Sequence, residues 1–257
     1  VQRKLNEDGL TLAAKAERLT LLRRVCFDLT GLPPTIKQQD EFLADKKPGA
    51  WKRLIDRLLE SPRYGERWAR HWLDAAGYAD SEGAQNEDRV RSHIWRYRDY
   101  VVRSFNADKP YDRFLQEQIA GDEMVDYENA KEITPEIYDC LVATGFLRTA
   151  PDRTFADITN FVPDRLEVIA DEMQVFSSAV LGLTMQCARC HAHKFDPISQ
   201  HDYYGLTAIF KDALDEHDWL KSQGPRTLNF VTTKERSAWE AHEAEITRKV
   251  EALEKEL

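Results

Sequence analysis

The chain has 257 residues, 42% of them hydrophobic and 32% charged, enough to bury a sizeable core in one large domain or two small ones. Its 36 Lys and Arg against 45 Asp and Glu leave a net charge of −9, which argues against a nucleic-acid partner, since that needs a basic face. No apolar run is long enough to span a bilayer and no apolar leader opens the sequence, so the reading is either a cytoplasmic protein or a mature fragment whose signal was removed upstream.

In chain order, Leu19, Leu22, Val25, Cys26 and Leu29 recur at helical spacing, and Gly31 with Pro33-Pro34 stops that helix. Thr35 is placed to cap a second helix over 36–44. A third, over 50–59, carries Trp51, Leu54, Ile55, Leu58 and Leu59 on one stripe, with Ser61-Pro62 as punctuation. Residues 65–78 predict a helix with Trp68, Trp72 and Ala75 on one face and His71 and Leu73 at its borders. The polar loop over 79–89 gathers Asp80, Glu82, Glu87 and Asp88. Their spacing matches no EF-hand, which favours a solvated loop over a calcium site. A helix over 90–105 follows, with His93, Tyr97, Tyr100, Val101 and Phe105 near one face. Pro110 then opens another, at its permitted first turn, through Phe114, Leu115 and Ile119.

After an acidic loop over 121–135 the helical pattern returns over 136–148, and 149–163 shows no clear period and predicts a long loop. Asp164 is placed to cap a long helix through Leu166, Ile169, Met173, Phe176, Val180 and Leu183, running directly to Cys187, and a further helix spans 202–210. Residues 234–257 are highly charged, yet Trp239, His242, Ile246, Val250, Leu253 and Leu257 recur at steps of three and four. That is a short coiled-coil-like stripe, expected to dock along the globular part or to lead into a further domain. No alternating β-branched run appears. The expected class is mainly α: a multi-helical globular domain with long loops over 1–220, then a linker and charged coiled-coil-like helix over 221–257.

The chemistry concentrates between the last two core helices, at Cys187-Ala188-Arg189-Cys190-His191. Two cysteines two residues apart with a histidine directly after form the c-type haem attachment pattern. Each thiol adds across one vinyl group of a porphyrin, so the sulfurs must reach neighbouring edges of one ring while the next residue offers its imidazole to the iron. With four Cys and seven His in the chain, chance placement gives this pentad in roughly two chains per thousand. A structural zinc site is the competing reading, since Cys187 and Cys190 with His191, His193 or His201 can fill a tetrahedron. No second C-x-x-C is present to complete a zinc ribbon. Cys26 and Cys140, in apolar helical contexts, are either two separately buried thiols or a disulfide.

The chain resembles a planctomycete cytochrome-like domain of unknown function, known chiefly from large secreted or periplasmic proteins, where it lies between an N-terminal cytochrome c-like domain and a C-terminal partner domain. The matching stretches are Leu22-Arg23-Arg24 through Asp28-Leu29-Thr30-Gly31-Leu32-Pro33-Pro34, the run from Ser61 to Asp74, Trp95 to Val101, Phe105 to Asp112, Ala143 to Leu147, Leu181 to Thr184, and Cys187 to Pro197. They cover roughly residues 10–215. Ala192 stands where the family usually has Asp between two histidines, a possible partner for His191 that bears on tuning and not on attachment. The segment between Thr149 and Asp164 also diverges.

The expected cofactor is therefore one covalent haem c on Cys187 and Cys190, with His191 as iron ligand. For the sixth position His71 is the first choice among His93, His193, His201, Met173, Met185 and water. Its alternative is a histidine hydrogen-bonded near the core beside Asp74. Trp72 and Arg70 are expected to border the ring, and Arg67, Arg96 and Arg98 share with Arg70 the choice between haem propionates and ordinary surface ion pairs. Thiol attachment of haem takes place outside the cytoplasm in bacteria, so the expected location is periplasmic or secreted. The leading function is an electron-transfer module with a redox partner protein or neighbouring cytochrome domain. A haem oxidoreductase acting in carbohydrate breakdown is the second reading, from the polysaccharide-rich setting that the resemblance implies, and a non-haem or zinc-stabilised scaffold is the third.

Overall fold

The structure, a computed structural model, describes residues 1–83, 88–130, 132–152, 161–218 and 233–256. Among these residues the chain is helical, with one isolated antiparallel bridge between Ser81 and Val90 and no named strand. The helices are α1 (Gln2–Glu7), α2 (Arg18–Thr30), α3 (Ile36–Ala44), α4 (Ala50–Leu59), α5 (Pro62–Ala75), α6 (Trp95–Asn106), α7 (Tyr111–Ala120), α8 (Pro135–Ala143), α9 (Val162–Phe176), α10 (Gln200–Ile209) and α11 (Thr233–Glu256). The class is mainly α, with a charged helix at the C-terminal end, as the periodicity implied. The chain divides into two units: Val1–Arg70 with Phe105–Ala107, and His71–Ser104 with Asp108–Leu257. Residues 221–232, most of the expected linker, lie outside the described residues.

In the first unit the punctuation acts as expected. Gly31 ends α2 at φ 71°, a left-handed conformation that glycine adopts without penalty. Thr35 opens α3 with a reciprocal capping box to Gln38. These stops let α2, α3 and α4 fold back on one another and bury Leu22, Cys26, Phe42, Leu54 and Leu58, with Val25 and Leu29 packed against them. Each such side chain contributes roughly 1.5–3 kcal/mol by leaving water. Trp51 and Leu59, at the borders of the α4 stripe, stay exposed. The Asn106 side chain ties the start of α5, accepting from Gly65 N at 2.8 Å and donating to Pro62 O at 3.2 Å.

The buried stripe of α5 is Gly65, Ala69 and Trp72, continued by Ala76 just past its end, one step round from the expected face. Trp68 and Ala75 are exposed, because the close-packed side of this helix takes small residues and a single indole. In the second unit Trp72 meets Phe114 edge-on at 5.0 Å and Phe146 at 5.8 Å, and Tyr100 stacks on Phe114 at 5.9 Å. At Gly121 the backbones of Glu117 and Cys140 leave no room for a Cβ, so glycine is what permits α7 and α8 to approach. Cys26 and Cys140 are separate buried free thiols, one in each unit, and burial raises the pKa of both.

Three expectations are corrected here. The helix expected from Val90 begins at Trp95, because residues 80–82 and 89–91 pair as extended backbone through Glu82 N to Arg89 O at 2.9 Å and Arg91 N to Asp80 O at 2.8 Å. The helix expected to reach Cys187 stops short. α9 passes into a π-turn over Ser177–Leu181, and Gly182, at φ 66°, ends it with its N–H on Ser177 O. Asp164 lies in the first turn of α9 rather than capping it. The stripe on α11, expected to dock along the globular part or to lead into a further domain, is exposed among the described residues: Trp239 is 63% exposed and Ile246, Val250 and Leu253 are exposed as well. The ion pair of Glu235 with Arg96, which also donates to the Tyr138 hydroxyl at 2.7 Å, involves the first turn of that helix. The expected loop over 149–163 falls largely outside the described residues.

Candidate functional site: the cysteine-histidine turn

The pentad lies in the second unit, on a 3-10 turn over Gln186–Arg189 between α9 and α10. Cys187 lies within this turn and Cys190 directly follows it as its C-cap residue. Cys187 O accepts from both Cys190 N and His191 N at 3.3 Å and closes the turn. Ala188 faces inward and is fully buried behind buried Met185, whereas Cys187, Cys190 and His191 are exposed and both thiols are free.

His191 Nδ1 pairs with Ala192 O at 2.8 Å. Only a protonated nitrogen can donate to a carbonyl, so the proton resides on Nδ1 and the Nε2 lone pair is left for a metal, the usual support of a ligating imidazole. After the turn His193 locks the loop. Its backbone N–H donates to Ile198 O at 2.8 Å, its Nδ1 accepts from Asp196 N at 3.0 Å, and the Asp196 carboxylate lies 3.1 Å from the same nitrogen. Ser199 then opens α10 with a capping box to Asp202. Exposed apolar side chains flank the turn on both sides, Leu181 and Leu183 before it and Phe195, 83% exposed, after it.

This donor set fits a covalently held haem: two free, exposed thiols at a turn and the residue after it, an exposed imidazole directly following them, and exposed apolar side chains nearby. Among the described residues no group of three or more His, Cys, Asp or Glu side chains is arranged to hold a metal ion, so the zinc tetrahedron is not assembled there.

The other expected site residues lie on α5. His71 is exposed in the second unit, and Arg70 is exposed in the first. Trp72, expected beside the cofactor, is interior: its indole N–H donates to Tyr97 OH and Gln118 Oε1, each at 2.9 Å. Among the proposed propionate partners, Arg96 is engaged by Glu235 and Arg98 forks onto Asp99 at 2.8–3.0 Å. Met173 and Met185 are buried.

Sequence reasoning missed a buried charge cluster in the same unit. Glu82 lies 3.0 Å from the Arg91 guanidinium, and Arg91 also donates to Thr149 O at 2.9 Å and Ala150 O at 2.6 Å. Ala150 N donates to Glu172 Oε1 at 2.9 Å, while the Arg148 and Asp152 charges act on the same carboxyl. Burial pushes the Glu172 carboxyl up to about 8 against the pull of that N–H and of Arg148 and Arg91. Burial likewise draws the Arg148 guanidinium down to about 10. The acidic loop is thus not simply solvated, since Glu82 is 2% exposed; Glu87 lies outside the described residues. A signal existed. Arg165 and Glu172 fall on the inward stripe of α9 with Ile169, Met173 and Phe176.

No curated protein and no solved structure matches the chain. A family model does, over residues 1–215, which takes in both units as far as the end of α10 and leaves α11 outside. On that match the chain belongs to the PSCyt2 family, described as a protein of unknown function (DUF1549).

Proposed function

We propose that this chain is a c-type haem domain of an extracytoplasmic protein and serves as an electron-transfer module for a redox partner or neighbouring cytochrome domain. The observation that carries the reading is the exposure of Cys187, Cys190 and His191 together at one turn, with His191 Nδ1 against Ala192 O. When bound, haem supplies one-electron chemistry at iron. Cys187 and Cys190 would each add S–H across a vinyl group, sulfur bonding one carbon and hydrogen the other, which needs reduced thiols and no further oxidant. His191 would hold the iron through Nε2, and His71 is proposed as the second histidine to hold it. Two protein ligands leave no place for a substrate, which is why the reading is electron transfer and not oxidation of a carbohydrate.

The test is export of the chain in a bacterial strain equipped for cytochrome maturation, followed by a pyridine haemochrome spectrum and denaturing mass spectrometry. One haem of added mass is expected, and its loss in the Cys187→Ala, Cys190→Ala double variant. Colourless wild-type protein from that strain overturns the proposal. His71→Ala is expected to change the visible spectrum, and rapid carbon monoxide binding by the reduced wild type would transfer the assignment to the oxidoreductase reading.

A further inference from the structure

We propose that Arg189, which lies between the two cysteines, is a positioning residue that clamps their turn between α9 and α10 and so fixes the spacing of the two exposed thiols. The proposal rests on the reading of Cys187 and Cys190 as the attachment site and names the device that presents them. Both ends of Arg189 are held. Its guanidinium forks onto the Glu167 carboxylate of α9 at 2.6 and 2.8 Å. Its backbone carbonyl accepts from Gln200 Nε2 and Tyr204 OH, both on α10 and both at 3.2 Å. The turn is held at its start as well, where Gln186 N donates to Gln174 Oε1 of α9 at 3.1 Å.

These contacts are distributed in a particular way. The residues that bind the turn to its neighbours are Gln186, buried Ala188 and Arg189, and the three with chemistry, Cys187, Cys190 and His191, point to solvent. A 3-10 turn is short and its hydrogen bonds are poorly aligned, so it depends on outside contacts to keep its geometry. A planar guanidinium on a carboxylate supplies direction as well as attraction, which a lysine at 189 would not. Glu167 is more exposed than Arg189, so replacing it perturbs the clamp with little effect on the interior.

The experiment uses the reduced full chain without haem and a dibromomaleimide, a reagent that bridges two thiols held close together. Mass spectrometry separates singly modified from bridged protein, and peptide mapping assigns the bridge to Cys187 and Cys190. In the wild type the second thiol is expected to close quickly after the first. Arg189→Gln and Glu167→Gln should each slow closure about threefold to fivefold, the scale of one well-formed bidentate pair, with the first alkylation unchanged. The double variant should be no slower than either single one. Arg189→Lys should recover only part of the rate. Unchanged closure, or slowing that simply adds in the double variant, overturns the clamp. Because the sample carries no haem, failure here leaves the haemochrome result standing, and a colourless product there leaves this result standing.

Discussion

Gln118 shows what one buried amide does in the second unit. Its Oε1 accepts from Trp72 Nε1 at 2.9 Å and Tyr97 OH at 2.6 Å, and its Nε2 donates to Phe114 O at 3.0 Å. Two aromatic side chains and a backbone carbonyl of α7 are thereby fixed by one residue that is itself fully buried. Burial, partly offset by the Trp72 hydrogen bond, pushes the Tyr97 hydroxyl well above its ordinary range, so it stays a donor at every working pH. Tyr97→Phe removes that hydroxyl while keeping the ring, and should cost about 1–2 kcal/mol in urea unfolding without altering thiol accessibility at the turn. A comparable trident holds Glu117, which accepts from Tyr100 OH at 2.7 Å and Arg113 at 2.7 Å and pairs with Lys109. Burial alone would raise that carboxyl, and the three donors together bring it below the ordinary value. None of these residues carries a motif that marks it in the sequence. Each is a polar group at an inward position, and only the packing shows which partner satisfies it.

At the scale of the element, α9 combines the two kinds of information. Its apolar spacing was legible, and so was its approach to the cysteines. Its end was not, because the π-turn and Gly182 depend on how the last turn meets its neighbours. The same helix brings Glu172 inside, opposite Arg91, Arg148, Asp152, Glu82 and Tyr97. Two guanidinium groups face three carboxylates, so a proton on Glu172 leaves the cluster electrically balanced. The folded chain therefore holds a proton, up to about pH 8, that the unfolded chain releases in the ordinary carboxylate range. Stability should be full below that ordinary range and fall as pH rises toward 8, by up to about 1.4 kcal/mol per pH unit. Urea midpoints measured from pH 5 to 9 check this. Glu172→Gln, neutral throughout, should flatten the slope, and an equally steep slope in that variant would exclude Glu172 as its source.

For the whole molecule, two cores with one buried thiol each give a direct measurement. Leu54→Ala hollows the α2–α3–α4 core and should cost about 2–5 kcal/mol. It should speed alkylation of Cys26 under native conditions while Cys140 reacts at its former rate, as separate units require. Equal acceleration at both thiols would mean that the two cores open as one. The stripe of α11, a helix of the second unit, is exposed among the described residues and lies outside the span matched by the family. The sequence by itself determined the helical class, the stop of α2 and the cap of α3, and the pentad, because periodicity, capping and motif spacing are all local properties of the chain. Tertiary structure alone decided which side of α5 is buried, where α9 stops, that Glu82, Arg91 and Glu172 share an interior, and that Arg189 holds the cysteine turn. Those outcomes depend on pairing between residues distant in sequence, which a one-dimensional pattern does not contain.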